Sequence, residues 1–269
     1  MIEVESLRKS YGDLVAVDDV TFCAPPGGIF GLLGPNGAGK TTTIGCISGL
    51  LKPSAGRIRV MEHDVVSDGR ASRAMLGVVP QELALYEDLS ARENLFYWGS
   101  AYGLRGGRLK QRTDEVLTIT GLLDRAKEPV KKFSGGMKRR LNFACGIVHE
   151  PKVLLLDEPT VGVDPQSRVR LIDLIKSQTK LGTCILYTTH YMEEAEAICD
   201  KLAIIDHGNI IAMGTLNELR AILGERDLVR LSGRFDRQVV RESLHKLPDL
   251  ELINIADDQV TLAVPQASR

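Results

Sequence analysis

Three short segments carry residue types that can handle phosphate. The first runs from Gly34 to Thr41, Gly-Pro-Asn-Gly-Ala-Gly-Lys-Thr. Gly34, four residues, then Gly39, Lys40 and Thr41 is the spacing of a phosphate-binding loop. Gly34, Gly37 and Gly39 let the backbone curl until several N–H groups face one anion. A helix opening there adds the partial positive charge of its N-terminus. Lys40 is placed to reach the β- and γ-phosphates and Thr41 to ligand Mg²⁺. Asn36, Ala38 and Thr42 complete the set expected to line the phosphates. The bland alternative is a glycine-rich turn, which the apolar strand before it and the helix after it argue against.

The second segment, Val153 to Glu158, is an apolar strand ending in Asp157 and Glu158. A phosphate site needs an acidic strand end to hold Mg²⁺, which Asp157 supplies. Glu158 is then the residue to polarise an attacking water, worth about 10²–10⁴ in rate. Many strands end in surface acids, so this pair gains meaning only beside the glycine-rich loop. The third segment, Phe133-Ser134-Gly135-Gly136-Met137, exposes backbone N–H groups and a hydroxyl where a helix begins. It is a second anion-binding helix terminus, far along the chain from the first, or a flexible loop. One nucleotide has little use for both termini within one chain. A head-to-tail pair of chains uses both, with ATP between one glycine-rich loop and the other's Ser134-Gly135-Gly136.

These segments need a frame. The chain has 269 residues, 43% hydrophobic and 26% charged, enough for one large domain and a small appendage. Lys and Arg total 34 against 35 Asp and Glu, a net charge of −1, so a surface built for nucleic acid is not expected. Five cysteines show no metal-ligand spacing and are expected to be reduced, small buried hydrophobes. No window approaches 18 apolar residues, and the N-terminus lacks a signal pattern.

Residues 1–30 predict two or three strands turning at Tyr11-Gly12-Asp13. Residues 57–80 predict two strands around a polar turn. Ser90 and Glu93 form a capping box opening an α-helical insertion over about 90–150. Val153–Leu156, apolar on both faces, is a buried parallel strand. A helix over 168–180, a strand over 184–188, a helix over 191–199 and a strand over 202–206 follow. That alternation predicts an α/β fold with a mainly parallel sheet. Residues 221–269 predict a small β-α-β-β extension, with a helix over 238–247 and a hairpin turn at Asp257-Asp258. The domain boundaries expected are therefore 1–220 and 221–269.

Taken together, the segments resemble the ABC transporter ATP-binding family over residues 1 to about 220. The resemblance implies a P-loop NTPase core with an antiparallel β subdomain and an inserted helical one. It implies an ATPase with ATP and Mg²⁺ as cofactors. It also assigns roles. Tyr11 resembles the aromatic that stacks on adenine. Gln81 resembles the glutamine that touches Mg²⁺ and the water and links to the membrane subunit. Asp164 resembles the aspartate at the dimer interface, and His190 the switch histidine that contacts the γ-phosphate. The implied partners are a transmembrane permease subunit and a second ATP-binding subunit, identical or different. The implied location is cytoplasmic, peripheral on the inner face of the membrane.

Met137 stands where the family most often has glutamine, and Phe133 where it has leucine. With Lys138-Arg139-Arg140-Leu141 following, this variant resembles the drug- and antibiotic-export branch. The basic residues Lys131, Lys132, Lys138, Arg139 and Arg140 are read as a solvated helix face, with help toward phosphate as the alternative. The basic stretch 104–112 is read as an ordinary loop, or as a contact for lipid headgroups. The competing functions are a soluble ABC-type ATPase switch and a non-hydrolytic ATP-switched module. Only 93 positions separate Thr41 from Ser134, which leaves no room for the long coiled-coil insertion of the soluble machines. Glu158 and His190 speak against the second.

Overall fold

A computed structural model describes residues 1–222, 226–233, 239–240, 247, 250–255 and 259–265. The chain divides into two compact units, Met1–Gly214 and Thr215–Arg269. In the first unit, β1 (Ile2–Tyr11) and β2 (Leu14–Ala24) form a hairpin, followed by β3 (Ile29–Leu33) and α1 (Lys40–Ile47). Next come β4 (Ala55–Val60), β5 (His63–Asp64), α2 (Gly69–Ala74) and β6 (Leu76–Val79). Three helices follow, α3 (Ala91–Ala101), α4 (Gly106–Ile119) and α5 (Gly135–Ile147). The unit closes with β7 (Val153–Asp157), α6 (Pro165–Thr179), β8 (Cys184–Thr189), α7 (Met192–Ile198), β9 (Lys201–Asp206) and β10 (Asn209–Gly214).

The strands form two sheets. One is antiparallel, in the order β2-β1-β4-β5. The other has six strands in the order β10-β9-β3-β8-β7-β6, all parallel except β10, which runs against β9 at the edge. Side chains alternate across this sheet. Val153, Leu155, Cys184 and Leu186 share a core cluster with β1, β2 and α1. Leu154, Leu156, Ile185 and Tyr187 belong to a second cluster with α3, α4, α5 and α6. Period-2 alternation between two covered faces is why these strands are apolar throughout. The expected α/β architecture is the one observed, with its antiparallel sheet and helical insertion.

Some elements differ from the sequence reading. The segment 57–80 contains a helix, α2, whose six residues are too few for a helical period to show. β10 was not expected either. It pairs with β9 through a tight turn at His207-Gly208, both at positive φ (45° and 80°), the geometry of a type I′ hairpin. Cys23 is exposed, because it alternates outward on β2, whereas Cys46, Cys145 and Cys184 are buried as expected.

The second unit contains α8 (Leu216–Ile222), β11 (Arg226–Ser232), β12 (Glu251–Ile255) and β13 (Gln259–Pro265). Its antiparallel sheet runs β11-β13-β12. The helix expected over 238–247 falls largely outside the described residues, as does the turn at Asp257-Asp258. Among the described residues no helix is long and apolar enough to cross a membrane.

Candidate nucleotide site

Parallel register brings the chemistry to one edge of the six-stranded sheet. Leu33 of β3 pairs with Thr189 of β8, and Asp157 of β7 pairs with Thr188. The segments after these strands therefore emerge side by side: the glycine-rich loop, Glu158 and His190. The crevice beyond the carboxyl ends of parallel strands is where such sheets bind ligands.

The loop is shaped by close approach. A Cβ at Gly34 would lie 2.2 Å from the carbonyl oxygen of Ile205, which is backbone and has no room to give. Gly39 adopts φ 104° with the Ala16 carbonyl 2.6 Å from where a Cβ would sit, and it precedes α1 with no side-chain cap. The first turn of α1 holds no acidic residue, which leaves the partial positive charge of the helix start available to an anion. Asn36 and Gly37 are exposed, Ala38 is buried, Thr41 is exposed and Thr42 half-buried. Tyr11 ends β1, 45% exposed, with the Lys9 ammonium 4.9 Å from its ring centroid. The hairpin it closes leads into the strand whose Ala16 lies against Gly39.

Lys40 is buried, and its Nζ donates to the carbonyls of Gly34 (2.8 Å) and Pro35 (2.9 Å). Its third contact is Glu158 Oε1 at 3.1 Å. Each ammonium proton thus has an acceptor within reach. The other Glu158 oxygen, Oε2, lies 3.0 Å from His190 Nδ1. The Glu158 side chain is 5% exposed and sits between the two. Its backbone has φ 44°, the left-handed region, and its N–H donates to Thr188 Oγ1 at 3.0 Å. The same hydroxyl donates to Asp157 Oδ1 at 2.7 Å. Thr188 therefore fixes the Asp157 carboxylate and the Glu158 backbone, a role no local sequence pattern marks. The nearest signal is a pair of hydroxyl residues, Thr188 and Thr189, ending an otherwise apolar strand.

Glu194 is unmarked as well. This buried carboxylate of α7 accepts from Thr160 (2.8 Å), Tyr187 (3.0 Å) and Thr189 (3.0 Å), and Arg168 Nε lies 3.4 Å away. Burial, and then the neighbouring Glu194, push the Tyr187 hydroxyl's pKa well above its ordinary range. Thr160 lies two residues after Glu158 and Thr189 directly before His190, so Glu194 ties these two segments together.

Ser134, Gly135 and Gly136 form a separate group at the start of α5. Ser134 Oγ accepts from the Met137 N–H at 3.3 Å. Gly136 packs against α6, where a Cβ would meet Ser167 Oγ at 2.2 Å and Asp164 Oδ2 at 3.3 Å. Asp164 caps α6 by accepting from the Ser167 N–H at 2.9 Å, and backbone hydrogen bonds hold its carboxyl below the usual range. Gln81 is exposed after β6, its carbonyl bound by Arg139. The structure thus brings Lys40, Asp157, Glu158 and His190 together. It gathers Ser134, Gly136, Asp164 and Gln81 around α5, with Asp164 against Gly136.

The residue types expected to hold magnesium suit it chemically. Thr41, Asp157 and Gln81 offer only oxygen ligands, which this hard cation takes. Thr188 occupies Oδ1 of Asp157, leaving Oδ2 as its second acceptor. Among the described residues no cluster of three or more His, Cys, Asp or Glu could hold a metal. Magnesium bound through few side chains and substrate phosphates needs none.

Residues 17–161 match the family model described as ABC transporter. The chain belongs to the ABC transporter family. It is similar to a linearmycin resistance ATP-binding protein of Bacillus subtilis (strain 168), 45% identical over 86% of this chain and 75% of the relative. A daunorubicin resistance ATP-binding protein of Streptomyces coeruleorubidus is 44% identical over 83% of this chain and 71% of its own. The solved structure of an ATP binding subunit of an ABC transporter superposes with a TM-score of 0.76, at 33% identity, covering 83% of this chain and 93% of that one. The resemblance to the drug- and antibiotic-export branch is borne out by these relatives. This ABC protein is an ATP-binding, ATP-hydrolysing subunit of a transporter.

Proposed function

We propose that two ATP-loaded subunits close head to tail, each ATP held by one glycine-rich loop and the opposing Ser134-Gly135-Gly136, and thereby drive a transmembrane permease toward export. The observation that carries this reading is Glu158, held between Lys40 and His190 at 3.1 and 3.0 Å. A carboxylate so placed polarises water against the γ-phosphate. Gly34, Asn36, Gly37, Ala38, Gly39 and Thr42 cradle the phosphates, and Tyr11 stacks on adenine. Lys40 shifts from its loop carbonyls to the β- and γ-oxygens. Thr41, Asp157 and Gln81 would hold Mg²⁺, which neutralises phosphate charge when bound. His190 contacts the γ-phosphate while keeping Glu158 oriented. The chemistry is positioning and electrostatics.

The partner is inferred from the ABC transporter family match and from relatives that are resistance ATP-binding proteins. Through it the subunit sits peripherally on the cytoplasmic face of the membrane. Either two copies or two different ATP-binding subunits satisfy the geometry.

Glu158→Gln keeps the shape and removes the charge. We expect it to lower phosphate release by about 10²-fold or more while ATP still binds, and to accumulate an ATP-dependent dimer in light scattering. Parent-level turnover in this variant would remove Glu158 from the mechanism. A monomer at saturating ATP would count against the head-to-tail pair.

A further inference from the structure

In the basic run beside the Ser-Gly-Gly segment, Lys131 and Lys132 are solvent-exposed as expected, whereas Lys138, Arg139 and Arg140 are half-buried. Lys131 Nζ lies 2.9 Å from Asp88, and Lys138 Nζ 2.5 Å from Glu87. Arg140 Nη1 donates to the Thr120 carbonyl at 2.7 Å. Arg139 differs from these because it binds two loops at once. Its Nη1 donates to the Gln81 carbonyl at 2.5 Å and its Nη2 to the Val161 carbonyl at 3.0 Å. Val161 lies between Glu158 and Asp164, and Gln81 follows β6. Burial lowers the pKa of Arg139, so its guanidinium is not simply in water.

One turn on along α5, Asn142 holds the same loop. Its Nδ2 donates to the Pro80 carbonyl at 3.2 Å, and its Oδ1 accepts from the Ala84 N–H at 3.0 Å. Positions 139 and 142 share a helix face. The helix capped by Ser134 therefore grips residues 80–84 through two side chains, and through Arg139 it also hydrogen-bonds the segment after Glu158. Such a span suits a planar fork with two outward Nη groups. A lysine ammonium is a point charge and does not reproduce the fork.

We propose that Arg139 is a positioning residue for ATP hydrolysis, coupling the Gln81 loop and the Glu158–Asp164 segment to the helix that carries Ser134-Gly135-Gly136. This rests on the site roles proposed above. A shift of α5 on engaging the opposing nucleotide then moves both loops together. The Arg139 hydrogen bonds run to Gln81 and Val161 and not to the phosphate loop, so its loss affects turnover rather than nucleotide affinity.

The test uses the full chain as parent, Arg139→Ala, Arg139→Lys, Gln81→Ala and the double variant Arg139→Ala/Gln81→Ala. Phosphate release and ATP affinity by titration are measured for each, with Glu158→Gln as the control. We expect Arg139→Ala to lower kcat about ten- to hundredfold, the scale of a small misplacement of catalytic groups, with ATP affinity within about twofold. The double variant is expected to be less slow than the product of the two single effects, because Arg139 holds the Gln81 backbone carbonyl and so acts in part by placing the side chain that Gln81→Ala removes. Arg139→Lys restores little. It also keeps the question answerable if Arg139→Ala fails to fold, since it retains charge and bulk while losing the span. A parent kcat in either Arg139 variant, or multiplicative effects in the double variant, would overturn the proposal. If Glu158→Gln itself turns over at the parent rate, the site assignment fails instead, a distinct result.

Discussion

Glu158 pays for its place in backbone geometry. A φ of 44° in a residue with a Cβ costs on the order of 1–2 kcal/mol, and strain of this kind collects at functional sites. The turn it makes directs the chain away from β7, while Thr188 holds its N–H and Lys40 and His190 hold its carboxylate. A second residue-scale feature lies away from the nucleotide. His149 stacks on Tyr102 with centroids 3.5 Å apart, and its Nε2 is 2.9 Å from the Leu76 carbonyl. Burial lowers its pKa from 6.5 to about 4. Between those values the unfolded chain binds a proton that the folded chain refuses, so stability is full above about 6.5 and falls as pH drops toward 4. The shift corresponds to roughly 3 kcal/mol. Thermal melts at pH 7 and pH 5 should show the parent losing stability. His149→Phe, which keeps the ring stack, should lose less across the same interval. Equal losses in both proteins would assign the acid sensitivity to other groups.

At the scale of elements, α3 shows what local chemistry specifies. Ser90 Oγ accepts from the Glu93 N–H at 3.2 Å, and Glu93 Oε2 accepts from the Ser90 N–H at 2.8 Å. This is the capping box expected from Ser90 and Glu93, because its donors and acceptors lie three residues apart. Ser90→Ala should therefore cost about 1 kcal/mol, read as a lower denaturation midpoint with an unchanged slope; no change would mean water caps the helix as well. The same logic explains what else the sequence made readable. Lys40 and Glu158 stand out because glycine spacing and an apolar run announce them locally. Thr188, Glu194 and Arg139 do not, since each joins its site through at least one partner 22 to 58 positions away. No local pattern distinguishes such a residue from an ordinary strand hydroxyl or a surface charge. The short helix α2 and the edge strand β10 escaped for a related reason. The first is shorter than two helical turns. The second is recognisable mainly by the His207-Gly208 turn, whose non-glycine member carries a positive φ.

For the whole molecule, the question is what the second unit contributes to folding of the first. Both hydrophobic clusters of the first unit are built from residues 2–210. The glycine-rich loop, both strand-end carboxylates, His190 and the Ser134 helix all precede Gly214, where the first unit ends. The second unit pairs its own strands, β11 and β12, on β13. A chain ending at Gly214 should therefore melt cooperatively and bind ATP as the full chain does. Nucleotide at 100 times its dissociation constant stabilises the folded form by about 2.7 kcal/mol, so ATP should raise the melting temperature of both. Dimer formation in the Glu158→Gln background should also survive truncation, because every residue proposed for the pair lies in the first unit. An aggregated 1–214 chain, or one whose melting ATP leaves unmoved, would show that residues 215–269 help to fold or hold the nucleotide site. A truncated chain that binds ATP but no longer pairs would assign dimerisation to the second unit.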